Sequence, residues 1–194
     1  MDRLEIFETE LDYIKSPEIR EFTEKVLNKL PEYFFSIPAS STGKFHSPVC
    51  LGEGGLVRHT KMAVRFAIEL LNLEMFSKYS TDEKDIIISA LILHDGLKHD
   101  INFAKYSVAK HPLIMANFLK NDIELNSMLK PKIFNTIVEC IETHMGEFNK
   151  DYKTKKEILP KPHTKIQNMV HICDILSSRS YIKDFDFSIN VARK

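Results

Sequence analysis

The feature that most constrains this chain is an apolar run that ends in two adjacent polar residues. Seven of the eight residues from Ile86 to Leu93 are apolar, and His94 and Asp95 follow directly. A segment this apolar is buried on most of its surface, so the imidazole and the carboxylate enter the interior with it. A buried carboxylate requires a cation or a full set of hydrogen-bond donors, and the run contains no Lys or Arg. Asp95 therefore needs a partner from elsewhere, and a metal ion is a natural one.

Composition limits the class of protein. The chain has 194 residues, 43% hydrophobic and 28% charged, which suffices for one globular domain with a real core. Lys plus Arg equals Asp plus Glu, so the overall basic character of nucleic-acid-binding proteins is missing and stable nucleic-acid binding is not expected. No apolar stretch is long enough for a bilayer, so no membrane partner is expected. Three cysteines without CxxC spacing predict a reduced, cytoplasmic location and no cysteine metal cage. The oligomeric state is not indicated.

Helix start signals and helical periodicity predict an all-α fold. These signals occur at the Ser16-Pro17 pair, at the Ser80…Glu83 capping box, at Pro112 and at Pro131. No stretch alternates apolar and polar residues as a half-buried strand would. We predict a single domain over residues 1–194, a bundle of about six or seven helices. Its parts are N-terminal helices in 1–37 (the first over residues 1–14), a core that carries the motifs in 38–180, and a tail in 181–194.

Residues 38–55 are predicted to form a long loop, because they are rich in Gly, Ser, Thr and Pro. Long irregular loops inside compact domains are usually functional or disordered. Phe45, Val49 and Leu51 predict that this one is packed against the core. Lys44 and His46 are candidates for contacting a substrate phosphate. An exposed loop lysine and a structurally hydrogen-bonded histidine are an equally good interpretation.

Polar residues interrupt otherwise apolar helical faces at several places, and a further histidine stands at a helix start. They are His59, His94, Asp95, His144 and Asp174, with His111 at the start. A single inward histidine is more often a hydrogen-bonded core residue than a metal ligand. Several histidines and two aspartates, carried on different helices, are harder to explain separately. Imidazole and carboxylate ligands suit Zn, Mn, Fe, Co or Ni.

The ordered set of motifs resembles the HD superfamily of metal-dependent phosphohydrolases. The segments that carry the resemblance are Gly54-Gly55-Leu56-Val57-Arg58-His59, His94-Asp95-Gly96-Leu97-Lys98, His111-Pro112, His144-Met145-Gly146 and the helix around Asp174. A lone His-Asp pair would mean little, but five motifs in this order over residues 38–180 are a specific pattern. The helical bundle of that family agrees with the all-α prediction.

The resemblance implies a role for each matching residue. His59, His94, Asp95 and Asp174 would hold one divalent transition-metal ion, and His111 and His144 would complete a second, bridged by Asp95. Two such ions activate a water for attack on phosphorus. Asp95 and Lys98 would then be the catalytic residues, with Lys98 neutralising a nonbridging oxygen. Arg179, one turn after Asp174, would contact the substrate; the rival interpretation is a cation that stabilises its helix C-terminus.

The implied function is hydrolysis of a small phosphorylated substrate, most naturally a nucleotide, by a nucleotidase or phosphodiesterase. No Gly-Tyr-Pro motif is present, which disfavours the branch of the family that cleaves cyclic di-GMP. Two alternatives remain: a mixed-valent di-iron oxygenase with the same ligands, and a nucleotide-binding regulatory module without catalysis. The six lysines in 150–165 are interpreted either as a solvated loop or as a basic rim that attracts polyanions.

Overall fold

A computed structural model describes residues 2–44 and 46–189, and within these ranges the chain is all-α, as predicted. The α-helices are α1 (Arg3–Ile6), α2 (Glu8–Asp12), α3 (Pro17–Lys29), α4 (Tyr33–Ser36), α5 (Gly55–Leu71), α6 (Thr81–Leu93), α7 (His111–Asn121), α8 (Ile123–Ser127), α9 (Pro131–Thr143) and α10 (Lys165–Ser177). Single 3₁₀ turns occur at Pro48–Cys50, Glu74–Phe76 and Gly146–Phe148. The described helices exceed the predicted six or seven because α1, α2, α4 and α8 are too short to show a periodic pattern.

Capping side chains set the starts of three of the longer helices, α3, α6 and α10. In the capping box of α6, Glu83 N–H donates to Ser80 Oγ (3.2 Å) and Ser80 N–H donates to Glu83 Oε2 (2.9 Å). Thr164 and Gln167 form the same box before α10. The predicted helix over residues 1–14 is instead broken between α1 and α2 at Phe7. Phe7 leaves helical geometry, is fully buried and stacks on another buried aromatic ring, so core packing overrides local helix formation there.

Helix α6 is the central element of the bundle. It packs against α3, α5, α9 and α10, and every residue from Asp85 to Leu93 is buried. The apolar run is therefore covered on all sides, as its composition predicts. The one hydroxyl in the run, on Ser89, lies 2.7 Å from the hydroxyl of Thr23 in α3, so its polar atom is paired. The helix delivers His94 and Asp95 into the interior at its C-terminal end.

The loop before α5 is packed down, as predicted for its described residues; Phe45 lies outside them. Ala39 N–H donates to the carbonyl of Cys50 (3.0 Å), and Arg58 Nε donates to the carbonyl of Val49 (2.6 Å). Gly55 begins α5 where a Cβ would overlap the Cys50 carbonyl, so only glycine fits this close approach.

The chain after α10 gave no signal in the sequence, yet its described part crosses α5. Ser47 Oγ donates to the carbonyl of Ile182 (2.5 Å), Phe185 packs edge-on against Phe66, and Arg65 donates to the carbonyl of Ile189. Residues 190–194 of the predicted tail lie outside the described residues. None of the described helices is both long and apolar enough to cross a membrane.

Candidate metal centre

The structure brings together all six side chains predicted as metal ligands. His59 lies in the first half of α5 and Asp174 in the second half of α10. The other four stand at helix ends: His94 and Asp95 follow α6, His144 follows α9, and His111 is the first residue of α7. All are buried except Asp174, whose side chain is 15% exposed. The packing of five helices therefore creates one polar cluster inside an apolar core.

One half of the cluster is formed by His59, His94 and Asp174. His59 Nε2 lies 3.3 Å from His94 Nε2 and 3.1 Å from Asp174 Oδ1. His94 Nε2 lies 3.5 Å from Asp174 Oδ1. Oδ2 of Asp95 faces this half, at 3.6 Å from His59 Nε2 and 3.5 Å from His94 Nε2. Two imidazoles and two carboxylates therefore point at a common space.

The other half is formed by His111 and His144. Their Nε2 atoms are 3.1 Å apart. Oδ1 of Asp95 lies 2.9 Å from His111 Nε2 and 3.8 Å from His144 Nε2. The two oxygens of one carboxylate thus face the two halves separately, which is the arrangement a bridging ligand needs.

Hydrogen bonds to carbonyl groups fix the tautomers of three histidines. The Nδ1 atoms of His94, His111 and His144 lie 2.7–2.8 Å from the carbonyl oxygens of Leu91, Val108 and Ile141, each three residues earlier. A carbonyl oxygen only accepts, so each Nδ1 carries a proton and each Nε2 presents a lone pair to the centre. Leu91 and Ile141 belong to the last turns of α6 and α9, where backbone carbonyls lack helical partners.

His59 is fixed in the same tautomer by a side chain. Its Nδ1 lies 3.0 Å from Ser177 Oγ, and that hydroxyl donates its proton to the carbonyl of Asp174 (2.7 Å). Ser177 can therefore only accept from His59, so His59 Nε2 also presents a lone pair. Four imidazole lone pairs meet in the centre.

The donor set fits a metal ion. In both close histidine pairs the facing nitrogens are acceptors, so neither pair forms a hydrogen bond in the neutral state. Asp95 Oδ1 is buried and makes no hydrogen bond, although His111 lies beside it. Lone pairs and carboxylates at these distances repel unless a cation lies between them. The buried His and Asp groups can hold a divalent ion, and such nitrogen and oxygen ligands are compatible with several transition metals.

Without a metal, a proton supplies part of the missing positive charge. Burial lowers the pKa of His94, but Asp95 and Asp174 outweigh burial and raise it to about 10. Burial raises the pKa of Asp95, but Lys98 and His94 hold it well below its usual range. Burial and repulsion from His94 lower the pKa of His144 to about 3, so that imidazole is neutral. When no metal is bound, the neighbouring carboxylates therefore keep a positive charge on one ligand of the cluster, His94.

Lys98 is the cation partner of Asp95, which corrects the expectation that no nearby side chain supplies one. Its buried Nζ donates to Asp95 Oδ2 at 2.5 Å. The turn through Gly96 brings the lysine back over the carboxylate, because Lys98 N–H donates to the carbonyl of Asp95 (3.1 Å). A Cβ on Gly96 would lie 2.8 Å from a methyl group of Leu30, so a larger residue in this turn would require the Leu30 side chain to shift.

A cavity of about 470 Å³ opens from the cluster to the surface. Asp95, Lys98, His111, His144 and Asp174 form its floor. The lining combines hydroxyl groups, including those of Ser40, Thr42 and Ser107, with apolar side chains, including those of Val108, Met145, Phe148 and Ile175. A compound with both polar and apolar parts matches this mixed lining.

The three predicted substrate-binding residues are placed differently. His46 lines the cavity, and its ring lies edge-on to the ring of His59. Its Nδ1 atom is buried and has no hydrogen-bond partner among the described residues. Burial lowers the pKa of His46 to about 2, so the imidazole is neutral. Arg179 lines the mouth and forms no ion pair with any described residue. Its Nε donates to the carbonyl of Ile175 (2.8 Å), so it also serves the C-terminal end of α10. Lys44 is exposed and does not line the cavity.

His171 and Gly146, which are not among the predicted site residues, hold His144 in place. His171 Nδ1 lies 2.6 Å from the carbonyl of His144, and its Nε2 lies 2.7 Å from Glu147 Oε2. Gly146 has φ +53°, and a Cβ there would overlap the His171 ring. The available signals were the position of His171 one turn before Asp174 and the glycine two residues after His144.

His99 lies on the connection between Lys98 and His111, outside the predicted ligand set. It is buried, its Nδ1 lies 2.7 Å from the carbonyl of Ala104, and its ring stacks on Phe103. It thereby holds the chain between Lys98 and His111 in a compact loop. Two residues of this loop have positive φ, Asp100 (65°) and Phe103 (53°). The half of the cluster that contains His111 and His144 therefore depends on a strained loop between Lys98 and His111.

Comparison of the chain with family models, with curated proteins and with solved structures finds no match. The function proposed below therefore rests on the geometry of this chain.

Proposed function

We propose that this protein is an HD-type metal-dependent phosphohydrolase. The observation that carries the proposal is the position of the Asp95 carboxylate. It lies between two pairs of histidines whose Nε2 lone pairs face each other, on the floor of an open cavity and in contact with a buried lysine. Purely structural histidines would satisfy both nitrogens with fixed partners, and these four do not.

The ligands divide into two sets around Asp95. His59, His94 and Asp174 would hold one ion together with Asp95 Oδ2, and His111 and His144 would hold a second with Asp95 Oδ1. Bound ions of this kind polarise a phosphoryl group and make water a stronger nucleophile at neutral pH. In the hydrolysis, the water oxygen bonds to phosphorus, the ester P–O bond breaks, and the departing alcohol takes one of the water protons.

The remaining residues of the cavity bind and orient the substrate. Lys98 places a positive charge beside Asp95, where it would neutralise a nonbridging phosphoryl oxygen as a point charge. Arg179, which has no acidic partner among the described residues, would take a second anionic group at the mouth. The neutral His46 would form a hydrogen bond to the substrate through its free Nδ1. The apolar side chains of Phe148 and Ile175 would accommodate a nucleobase.

The test is elemental analysis of the purified protein, followed by hydrolysis assays with Mn, Fe, Co, Ni and Zn. The substrates are p-nitrophenyl phosphate, bis(p-nitrophenyl) phosphate and a nucleotide panel. We expect metal-dependent hydrolysis that Asp95→Asn lowers by about a thousandfold, since removing the shared ligand removes both ions. Asp186→Asn, an exposed carboxylate far along the chain, is the matched control and should leave the rate unchanged.

The outcome that contradicts the proposal is a folded, metal-loaded protein that hydrolyses none of these compounds. Bound iron together with substrate-dependent oxygen consumption would replace the proposal with the oxygenase alternative. Nucleotide binding without turnover in any metal would replace it with the regulatory-module alternative.

A further inference from the structure

Two loops at the cavity mouth carry exposed aromatic rings next to lysines. Tyr106 is 56% exposed with Lys105 Nζ 5.4 Å from its ring centroid, and it directly precedes a cavity-lining residue, Ser107. Tyr152 is 86% exposed with Lys155 Nζ 4.6 Å from its ring centroid. The two pairs lie on separate loops, and each loop also carries a cavity-lining residue, Ser107 in one and Phe148 in the other.

An exposed ring inside the mouth connects one of these pairs to the cavity. Phe148 lines the cavity and is 53% exposed, and Tyr152 follows it by four residues. The intervening chain is held in place, because Asn149 is buried and its amide donates to the carbonyl of Leu159 (3.0 Å). The two rings are thus presented by a fixed loop.

The zero net charge of the chain conceals a basic surface around the mouth. The cavity-lining loop residues belong to the segments 38–47, 98–110, 145–161 and 175–183, and these segments as a whole, including the chain that adjoins the lining, contain eleven Lys or Arg residues against four Asp or Glu. The chain as a whole has equal numbers. Positive charge is therefore concentrated where a substrate enters, and it attracts polyanions to this surface.

The acidic residues on either side of Phe148 are already occupied by neighbours. Glu147 faces His171, Glu157 pairs with Lys161 (2.7 Å), and Asp151 accepts from the backbone of Thr154 (2.7 Å). Lys153, Lys155 and Lys156 are exposed and form no ion pair with any described residue. Their charges are therefore available to a ligand.

We propose that the substrate is a single-stranded oligonucleotide, whose terminal nucleotide enters the cavity and whose following nucleotides lie across these two loops. The inference rests on the proposed function. Exposed rings stack with bases regardless of sequence, while lysines at intervals neutralise successive phosphates. Tyr152 is not among the residues that line the cavity, so a mononucleotide held there would leave this exposed ring without a role. Lysine is depleted at protein–protein interfaces, whereas lysines stand next to both of these rings, so a nucleic-acid strand fits the surface better than a protein partner.

The reaction at the strand end is an ordinary hydrolysis. Water adds its oxygen to the terminal phosphodiester phosphorus, one P–O bond to ribose breaks, and the freed sugar hydroxyl takes a proton from the water. The products are a nucleoside monophosphate and a strand shorter by one nucleotide. A cavity of about 470 Å³ has the size of a site for a small molecule such as one nucleotide.

Binding is tested without turnover, by fluorescence anisotropy of a labelled ten-nucleotide strand with the full-length protein and a chelator. The variant K153Q/K155Q/K156Q should bind about tenfold more weakly, and the slope of log affinity against log salt should fall by about two, since about 0.7 counterion is released per phosphate contact. K78Q/K130Q/K132Q is the matched control. These exposed lysines lie near the starts of α6 and α9, about 20 Å from the centre. They should change binding less than twofold.

Base stacking is tested at Tyr152. Tyr152→Ala should weaken binding about tenfold and Tyr152→Phe should retain it, because the ring and not the hydroxyl stacks. An abasic strand of equal length should bind the wild-type protein as weakly as the normal strand binds Tyr152→Ala. The inference is overturned if both lysine triples act alike, if the strand does not bind, or if inorganic polyphosphate competes as well as the oligonucleotide.

Failure of this inference and failure of the proposed function give different results. Metal-dependent hydrolysis of bis(p-nitrophenyl) phosphate without oligonucleotide binding removes only the inference. Oligonucleotide binding without hydrolysis of any ester in any metal removes the proposed function, and with it the assignment of the strand as a substrate.

Discussion

The two halves of the candidate metal centre are built in different ways. His59 and Asp174 project from within α5 and α10, two long helices packed directly against each other. His111 and His144 instead stand at a helix start and just beyond a helix end. Their positions depend on a loop with two positive-φ residues and on a turn that accepts only glycine at Gly146. Ligands fixed within packed helices should bind an ion more tightly than ligands fixed by strained connections.

The largest expected effect comes from removing one ligand in each half. His59→Gln should lower the hydrolysis rate by about a thousandfold and His144→Gln by about a hundredfold, because the half with His59 has four protein ligands and the other has three. Metal content should fall by one ion per protein in His144→Gln and by more in His59→Gln. Elemental analysis and steady-state rates measure both. Equal losses of rate and of metal in the two variants would contradict the expectation that the half with His59 binds its ion more tightly.

Removing the side chains that hold the ligands in place should weaken metal binding in one half without the other. Ser177→Ala removes the acceptor of His59 Nδ1, and His171→Phe removes the donor to the His144 carbonyl while keeping a ring of similar shape. Each should weaken one ion about tenfold, since such outer partners typically contribute 10–100-fold in affinity. Metal titration of both variants is the measurement. The comparison fails if His171→Phe weakens the tighter ion, or Ser177→Ala only the weaker one.

Proton release should also distinguish the halves. The carboxylates raise the pKa of His94 to about 10, so this ligand is protonated at pH 7 and must lose its proton to bind metal. His144, with a pKa lowered to about 3, is already neutral. Binding of an ion in the half that contains His94 should release about one proton. The affinity of that half for the metal should rise about tenfold per pH unit from pH 6 to 8. Calorimetry in two buffers with different ionisation enthalpies measures the release; a value near zero would contradict the assignment.

The smallest effect expected is on folding stability, at two glycines with similar backbone angles. Gly146 has φ +53° and faces the His171 ring, whereas Gly43 has φ +68° and no atom within 4 Å of a built Cβ. Gly43→Ala should cost about 1 kcal/mol of unfolding free energy through its backbone alone. Gly146→Ala should cost about 1–3 kcal/mol more, because the His171 ring must move. Urea denaturation measures both variants, and equal costs would remove the role assigned to that contact.

The sequence predicts those features that depend on residues close together in the chain, and it misses those that depend on a turn or on distant residues. Asp95 and Asp174 could be identified because a carboxylate in an apolar helix is conspicuous locally, and α6 because its capping box and apolar run are local as well. The ion pair with Lys98 was missed because it requires the turn through Gly96, which the helical pattern of α6 does not contain. The break at Phe7 and the packing of residues 182–189 over α5 depend on distant partners and leave no periodic trace.

In the proposed centre, the Asp95 carboxylate lies between two metal ions held by the two sets of histidines. Anomalous diffraction from crystals of the full chain grown with Mn²⁺ would locate these ions. We expect two anomalous peaks, one among His59, His94 and Asp174 and one between His111 and His144, on opposite sides of Asp95. No peak at Asp95 in a folded protein at saturating Mn²⁺, or a peak only at another place in the molecule, would contradict this expectation.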